Sequence, residues 1–218
     1  TGVQTCALPI CGDFFDFLRV SENALWVIIA DVSGKGISSA LVMSTLQATL
    51  HALLVGVHSF EKMLEKLNGM VQEFTGGAHY VTMFLALLDA ESRRIHYINA
   101  GHNPPVILRG NGRVEQLAAN GTVVGLLPRV QFTRSLAELG PDDVLVLYTD
   151  GLAEAEDAAG KPFDVHGIDR TVASLRPETS PDIILNKLME DVNTFSGGAP
   201  ATDDRTVIVI SPVPESDD

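Results

Sequence analysis

The chain is poor in cysteine, in positive charge, in aromatic residues and in uninterrupted apolar stretches. Each shortage removes a class of protein. Cys6 and Cys11 are its only cysteines, too few and too close together for a disulfide framework. A reducing cytoplasm is the expected setting. Lys and Arg number 15 against 28 Asp and Glu, so the formal net charge is −13. That sign is wrong for a nucleic-acid binder, which must neutralise phosphates. It is equally wrong for docking on an anionic membrane, which draws basic clusters. The acidity serves solubility, a metal site or the steering of a partner. No apolar stretch reaches the roughly 18–20 residues of a membrane span. Residues 41–57 come nearest, but Ser44, Thr45, Gln47, Thr49 and His51 interrupt them. No signal peptide is visible. The Walker pattern Gly-x-x-x-x-Gly-Lys-Ser/Thr is absent, which removes Lys35 as a phosphate-loop lysine.

What is present suffices for a folded core: 45% of the residues are hydrophobic and the mean hydropathy is slightly positive. No break in composition divides the chain, so one domain is expected over residues 11–212, followed by a polar tail over 213–218. Residues 24–30 form a β-branched, aromatic apolar run that reads as a buried strand ended by Asp31. Ser33-Gly34-Lys35-Gly36 makes the turn, and Ser38 or Ser39 caps a largely buried helix over about 39–54. Ser59 with Lys62 opens a second helix carrying Phe60, Met63, Leu64, Leu67, Val71 and Phe74 at helical spacing, stopped by Gly76-Gly77. Strands are expected over 80–88, 95–99, 106–108, 114–117, 144–148 and 206–210. Asp89–Arg94 is a hairpin connection, Asn111-Gly112 a tight turn, and Pro181 starts a helix through about Phe195. Consecutive strands with short turns pair antiparallel, giving an α+β fold of stacked sheets flanked by helices.

Four acidic motifs carry the chemistry. They are Cys11-Gly12-Asp13-Phe14-Phe15-Asp16, Ala30-Asp31-Val32-Ser33-Gly34-Lys35-Gly36, Tyr148-Thr149-Asp150-Gly151 and Asp203-Asp204-Arg205-Thr206. Each sets an Asp at the edge of an apolar run. Carboxylates gathered from distant segments repel one another unless a cation lies between them, so Asp31, Asp150 and Asp203 point to a metal site at strand ends, with the Val32 carbonyl as a further oxygen donor. Oxygen ligands without His or Cys select Mg²⁺ or Mn²⁺. Two such ions about 3.5–4 Å apart can hold a bridging hydroxide in line with a phosphoryl group. His102, in Gly101-His102-Asn103-Pro104-Pro105, reads chiefly as a turn-stabilising hydrogen bonder, and Glu154 as either a supporting acid or a solvated loop residue.

Six segments in order resemble a known family. Gly-Asp-Phe-Phe-Asp, Asp-Val-Ser-Gly-Lys-Gly, Phe-Leu-Ala-Leu-Leu-Asp, Asn-Ala-Gly-His-Asn-Pro-Pro, Leu-Tyr-Thr-Asp-Gly-Leu-Ala-Glu-Ala and Asp-Asp-Arg-Thr are similar to the bacterial serine phosphatases of the stage II sporulation protein E type, a branch of the protein phosphatase 2C-like superfamily. The resemblance covers about residues 11–210. It implies a β-sandwich of mainly antiparallel sheets flanked by α-helices, two Mn²⁺ or Mg²⁺ ions, and hydrolysis of phosphoserine or phosphothreonine on a protein by a water bridging the ions. Asp31 would bridge them; Asp13 and the Val32 carbonyl would complete one site, Asp150 and Asp203 the other. Asp31 and Asp150 would thus act through the bound water. The implied substrate is a phosphorylated anti-sigma-factor antagonist of the STAS fold. An upstream sensor domain is the implied partner, and a homodimer is left open. The two helices over 39–75 correspond to the family's signal-relay segment. The chain departs from the pattern at Cys11, where the first Gly of Gly-Gly-Asp is usual, and at Phe163-Asp164, where Phe-Gly is usual. Two other classes compete: a catalytically impaired module that binds a phosphoprotein, and a nucleotide cyclase, faintly echoed in Gly12-Asp13-Phe14 but lacking its Glu.

Residues 2–10 have no helix or strand period and back-translate without mismatch to GGAGTTCAGACGTGTGCTCTTCCGATC, the sequence of a common sequencing-library adapter. Residues 1–10 are therefore expected to be an assembly artefact, with the natural start upstream and a first strand missing. The adapter's next base is T, with which Cys codons begin, so Cys11 is expected to replace a Gly. Sequencing the source locus across this junction should show different coding sequence before codon 11; genomic DNA continuous through Thr1–Cys11 would refute the reading.

Overall fold

The computed structural model describes residues 2–6, 12–54, 56, 59–176 and 179–212; Cys11, His58 and the tail over 213–218 lie outside them. Where the sequence shows no compositional break, these residues gather into two compact units, each with its own core. The units interleave along the chain, so no single boundary separates them and composition carries no trace of the division.

One unit is built on a five-stranded sheet of β2 (Asp13–Arg19), β3 (Ala24–Val32), β4 (Val81–Asp89), β5 (Arg94–Ala100) and β8 (Ser135–Glu138), in that spatial order. β2, β3, β4 and β5 pair antiparallel in succession; short turns join β2 to β3 and β4 to β5, while two helices intervene between β3 and β4. Strand alternation turns Trp26, Ile28, Ala30 and Val32 toward α1 (Ile37–Leu54) and α2 (Phe60–Thr75), where they share a core with Leu46, Leu50, Leu64 and Leu67. Trp26 packs on Phe60 with ring centroids 4.4 Å apart and the rings tilted by 48°. The opposite face carries Val27, Ile29 and Phe84, which are also fully buried.

The helices follow their sequence signals with two corrections. Ser59 caps α2, its hydroxyl accepting from the Lys62 amide, and Gly76 ends the helix in the left-handed conformation. α1 begins at Ile37, earlier than expected; Ser38 and Ser39 lie in its first turn, and the Ser39 hydroxyl donates to the Gly36 carbonyl instead of capping. Nor is α1 largely buried. Val42, Leu46, Leu50 and Leu54 face the core, while Ile37 and Leu41 are exposed. By length and composition α1 could cross a membrane, with a mean hydropathy of 1.4 over 18 residues, but its buried stripe makes it a core helix of this unit.

The other unit has a five-stranded sheet in the order β1 (Gly2–Cys6), β10 (Arg205–Ile210), β9 (Val144–Tyr148), β6 (Val106–Leu108) and β7 (Val114–Gln116). All its pairings are antiparallel. α4 (Asp164–Ala173) and α5 (Pro181–Phe195) pack Ile168, Val172, Leu188 and Val192 against Val146, Tyr148, Val207 and Val209. The sequence reading gave residues 2–6 no strand. They nevertheless pair with β10, because ladder formation needs only backbone donors and acceptors beside an open edge. β2, β8 and α4 also went unassigned from sequence. At the Phe163-Asp164 departure the backbone keeps the form that favours glycine: Asp164 has φ +61°, and its Oδ1 accepts from the Gly167 amide at 2.9 Å. Asp tolerates this region better than most residues because its short side chain can bond locally.

A buried asparagine ties the loop before β8 to α2. Asn68 Nδ2 donates to the Leu127 carbonyl at 2.8 Å, and its Oδ1 accepts from the Gly125 amide at 2.8 Å. Asn68→Ala leaves both backbone groups unpaired in a closed space. It should destabilise the protein by about 2 kcal/mol, read from the denaturant midpoint at constant slope.

Candidate active site

One pair of the candidate acids is set by strand register. Asp13 on β2 lies directly opposite Asp31 on β3, and Asp31 lies opposite Thr82 on β4. Opposed residues of an antiparallel pair project to one face with Cβ atoms about 4.5–5.5 Å apart. Asp31 does not end its strand, as the sequence suggested, but sits inside it, since β3 and its pairing with β4 continue through Val32. The Val32 amide donates to the Gly12 carbonyl at 3.3 Å. A Cβ placed on Gly12 would lie 3.1 Å from Asp31 Oδ1 and 3.2 Å from the Val32 carbonyl oxygen, so the glycine keeps open a space bordered by both oxygens. Two carboxylates and a carbonyl beside such a space fit a hard divalent cation. Among the described residues no three His, Cys, Asp or Glu side chains group closely enough to hold an ion by themselves.

The turn after Val32 is knotted to the start of β4. The Ser33 amide donates to the Tyr80 carbonyl, the Tyr80 amide donates to Ser33 Oγ, and His79 Nδ1 lies 2.7 Å from the Ser33 carbonyl oxygen. His79 therefore braces the loop that follows Asp31. Gly34 and Gly36 take φ of +91° and +85°. Of the other histidines, His51 on α1 sits 2.5 Å from Asp16 Oδ2. His102 hydrogen-bonds in its turn, as expected, through its amide to Asn99 Oδ1.

Asp150 and Asp203 belong to the other unit. Thr149 follows β9 as the N-cap residue, and Asp150 opens the one-turn helix α3 (Asp150–Ala153). The Thr149 amide donates to the Thr206 carbonyl, and the Thr206 amide donates back to Thr149 Oγ1 at 3.0 Å. Asp203 precedes β10, and its Oδ1 accepts from the Asp204 amide. Thus the loops bearing Asp150 and Asp203 are stitched together by their neighbours. Arg205, almost wholly buried, completes the joint: Nε donates to the Gly151 carbonyl and Nη1 to Asn193 Oδ1 on α5. The sequence quoted Arg205 only as part of a motif. Its burial among apolar strand residues has no local signal. Glu154 is a solvated residue closing α3, its amide donating to the Asp150 carbonyl.

A separate concavity of about 440 Å³ borders the β6–β7 hairpin and contains none of the four motifs. Of the two arginines that line it, Arg109 is already engaged, donating to Asp143 Oδ2 at 2.7 Å and to Glu115 Oε2 at 2.9 Å. Burial alone would raise the Asp143 carboxyl, but Arg109 and the amides of Gly110 and Gly140 together hold it below the usual range. This is a structural ion pair, not a second reaction centre.

Gly151 has no room for a side chain. A Cβ there would lie 1.9 Å from the Asp204 carbonyl oxygen, a backbone atom that cannot swing aside. Gly151→Ala should therefore destabilise the protein by about 3 kcal/mol, read as a lowered denaturation midpoint.

The sequence profile of stage II sporulation protein E (SpoIIE) matches residues 21–212. The chain is 30% identical over 160 residues to the phosphoserine phosphatase RsbU of Bacillus subtilis, covering 72% of this chain and 47% of that protein. It is likewise 30% identical over 149 residues to the phosphoserine phosphatase RsbP of the same organism, covering 66% of this chain and 37% of that protein. It thus spans less than half the length of either relative. Its fold superposes on the PP2C phosphatase domain of the cell-fate determinant SpoIIE from Bacillus subtilis with a TM-score of 0.82 at 21% identity, over 95% of this chain and 61% of that one. That likeness establishes the α+β, PP2C-like fold class. With the profile matching most of its length, the chain belongs to the stage II sporulation protein E family.

Proposed function

We propose that this chain is the catalytic domain of a metal-dependent protein serine/threonine phosphatase that hydrolyses phosphoserine on a regulatory protein. The observation that carries the reading is the opposed pair Asp13 and Asp31 beside the Val32 carbonyl. Like charges placed opposite each other weaken a ladder, and a divalent cation turns that liability into a binding site. The phosphoserine phosphatases RsbU and RsbP, to which the chain is similar, support the reaction class.

In this reading Asp31 serves both of two Mn²⁺ or Mg²⁺ ions, Asp13 and the Val32 carbonyl serve one, and Asp150 and Asp203 serve the other. Bound there, the ions supply positive charge for phosphoryl oxygens and lower the pKa of water. The protein supplies position: the β2–β3 register holds Asp13 against Asp31, and the Ser33–Tyr80 knot fixes the turn beyond them. The proposed substrate is a phosphorylated STAS-fold anti-sigma-factor antagonist. A formal charge of −13 argues for recognition of such a protein through local contacts and not by attraction of its phosphate from a distance. The competing reading, an impaired phosphoprotein-binding module, draws on the lack of a three-side-chain acidic cluster among the described residues.

The purified chain should bind Mn²⁺ in a calorimeter and release phosphate from a phosphoserine peptide only when the metal is present. Asp31→Asn should lower turnover by more than the about 10–100-fold that outer-shell changes cost, and Asp150→Asn likewise. Metal-independent turnover, or full activity in either variant, would overturn the assignment. Peptide binding without Mn²⁺ binding would favour the impaired module.

A further inference from the structure

The acidic row on the sheet does not end at Asp31. Asp13, Asp31 and Thr82 are successive cross-strand partners, so their side chains share the face away from α1 and α2. Thr82 Oγ1 lies 2.9 Å from His102 Nδ1. His102 is 4% exposed. Its amide donates to Oδ1 of the fully buried Asn99, whose own amide donates to Asn120 Oδ1. Gly101 makes the preceding turn at φ +71°, where a Cβ would come 2.6 Å from Val123 Cγ1. The backbone thus aims a buried imidazole at a hydroxyl next to the central acid of the site.

A threonine hydroxyl has one hydrogen to give and can accept as well. With the hydrogen on His102 Nδ1, the ring donates to Thr82 Oγ1, and the hydroxyl hydrogen turns to another acceptor. Asp31 is the residue directly opposite Thr82 on β3. We propose that His102 and Thr82 form a positioning relay for Asp31: Nδ1–H donates to Thr82 Oγ1, and the Thr82 hydroxyl donates to one carboxylate oxygen of Asp31, leaving the other oxygen to face the cation. Neither residue touches the reacting atoms, and no proton is transferred. Outer-shell hydrogen bonds of this kind orient ligating carboxylates. The inference rests on the reading of Asp31 as a cation ligand.

The test is Mn²⁺ calorimetry and phosphoserine-peptide turnover on the whole chain. Thr82→Val removes the hydroxyl and keeps the branched shape; it should weaken Mn²⁺ binding by about 10-fold and lower kcat with little change in KM. Thr82→Ser, which restores a hydroxyl, should recover both. His102→Asn keeps a donor near the Nδ1 position and should resemble the parent, whereas His102→Leu should match Thr82→Val. The double variant Thr82→Val/His102→Leu should lose no more than Thr82→Val alone, because members of one relay are not additive. Melting of the metal-free variants checks folding, and the Thr82 series decides the matter where a His102 variant does not fold. Mn²⁺ binding that Asp31→Asn abolishes and Thr82→Val leaves intact would sink the relay alone, as would additive losses. A parent chain that binds no Mn²⁺, or an Asp31→Asn variant that binds it normally, would instead sink the phosphatase reading.

Discussion

Two aspartates face each other across adjacent antiparallel strands, and the packing of their own sheet answers to that pairing. Asp13 and Asp31 are brought together by a register that also places Phe14 and Ala30, then Leu18 and Trp26, on the core face. A slip of one residue would turn every one of these side chains over. The apolar packing of α1 and α2 on β3 therefore enforces a like-charged contact that local electrostatics disfavour. The energy is drawn from burial of Trp26, Ile28 and Ala30, not from the acids themselves.

Glycine at two positions makes room for close backbone approach, once in each unit. Gly12 leaves space beside Asp31 and the Val32 carbonyl, and Gly151 allows its strand-to-helix turn to press on the Asp204 carbonyl. Around each, polar side chains lock the geometry: Ser33, Tyr80 and His79 beyond Asp31, and Thr149, Thr206 and Arg205 around Asp150. The same economy appears at Asp164, which adopts a left-handed backbone and offsets it by accepting from the Gly167 amide.

Much of the scaffold was legible because its signals are local. β6, β9 and α5 begin and end where the apolar runs and Pro181 place them. Ser59 and Gly76 bound α2 as their chemistry requires. The failures share a cause as well. β8 is four residues of mixed exposure, and residues 2–6 become a strand through the edge that β10 offers. α1 is apolar on several sides, so its pattern could not show which stripe would be covered. The division into two units escaped because each is assembled from segments far apart in the chain.

The amino-acid order alone marked out the acids proposed here as cation ligands. Asp13, Asp31, Asp150 and Asp203 stand beside turn-forming or polar residues at the ends of apolar runs, and that placement is a matter of neighbours in the chain. Tertiary structure alone decided that Asp13 opposes Asp31, that Thr82 stands next in the row, and that His102 and Arg205 are buried in support. Those facts depend on cross-strand register and on contacts between distant segments. Both follow from how the whole core packs, and no short stretch of sequence contains them.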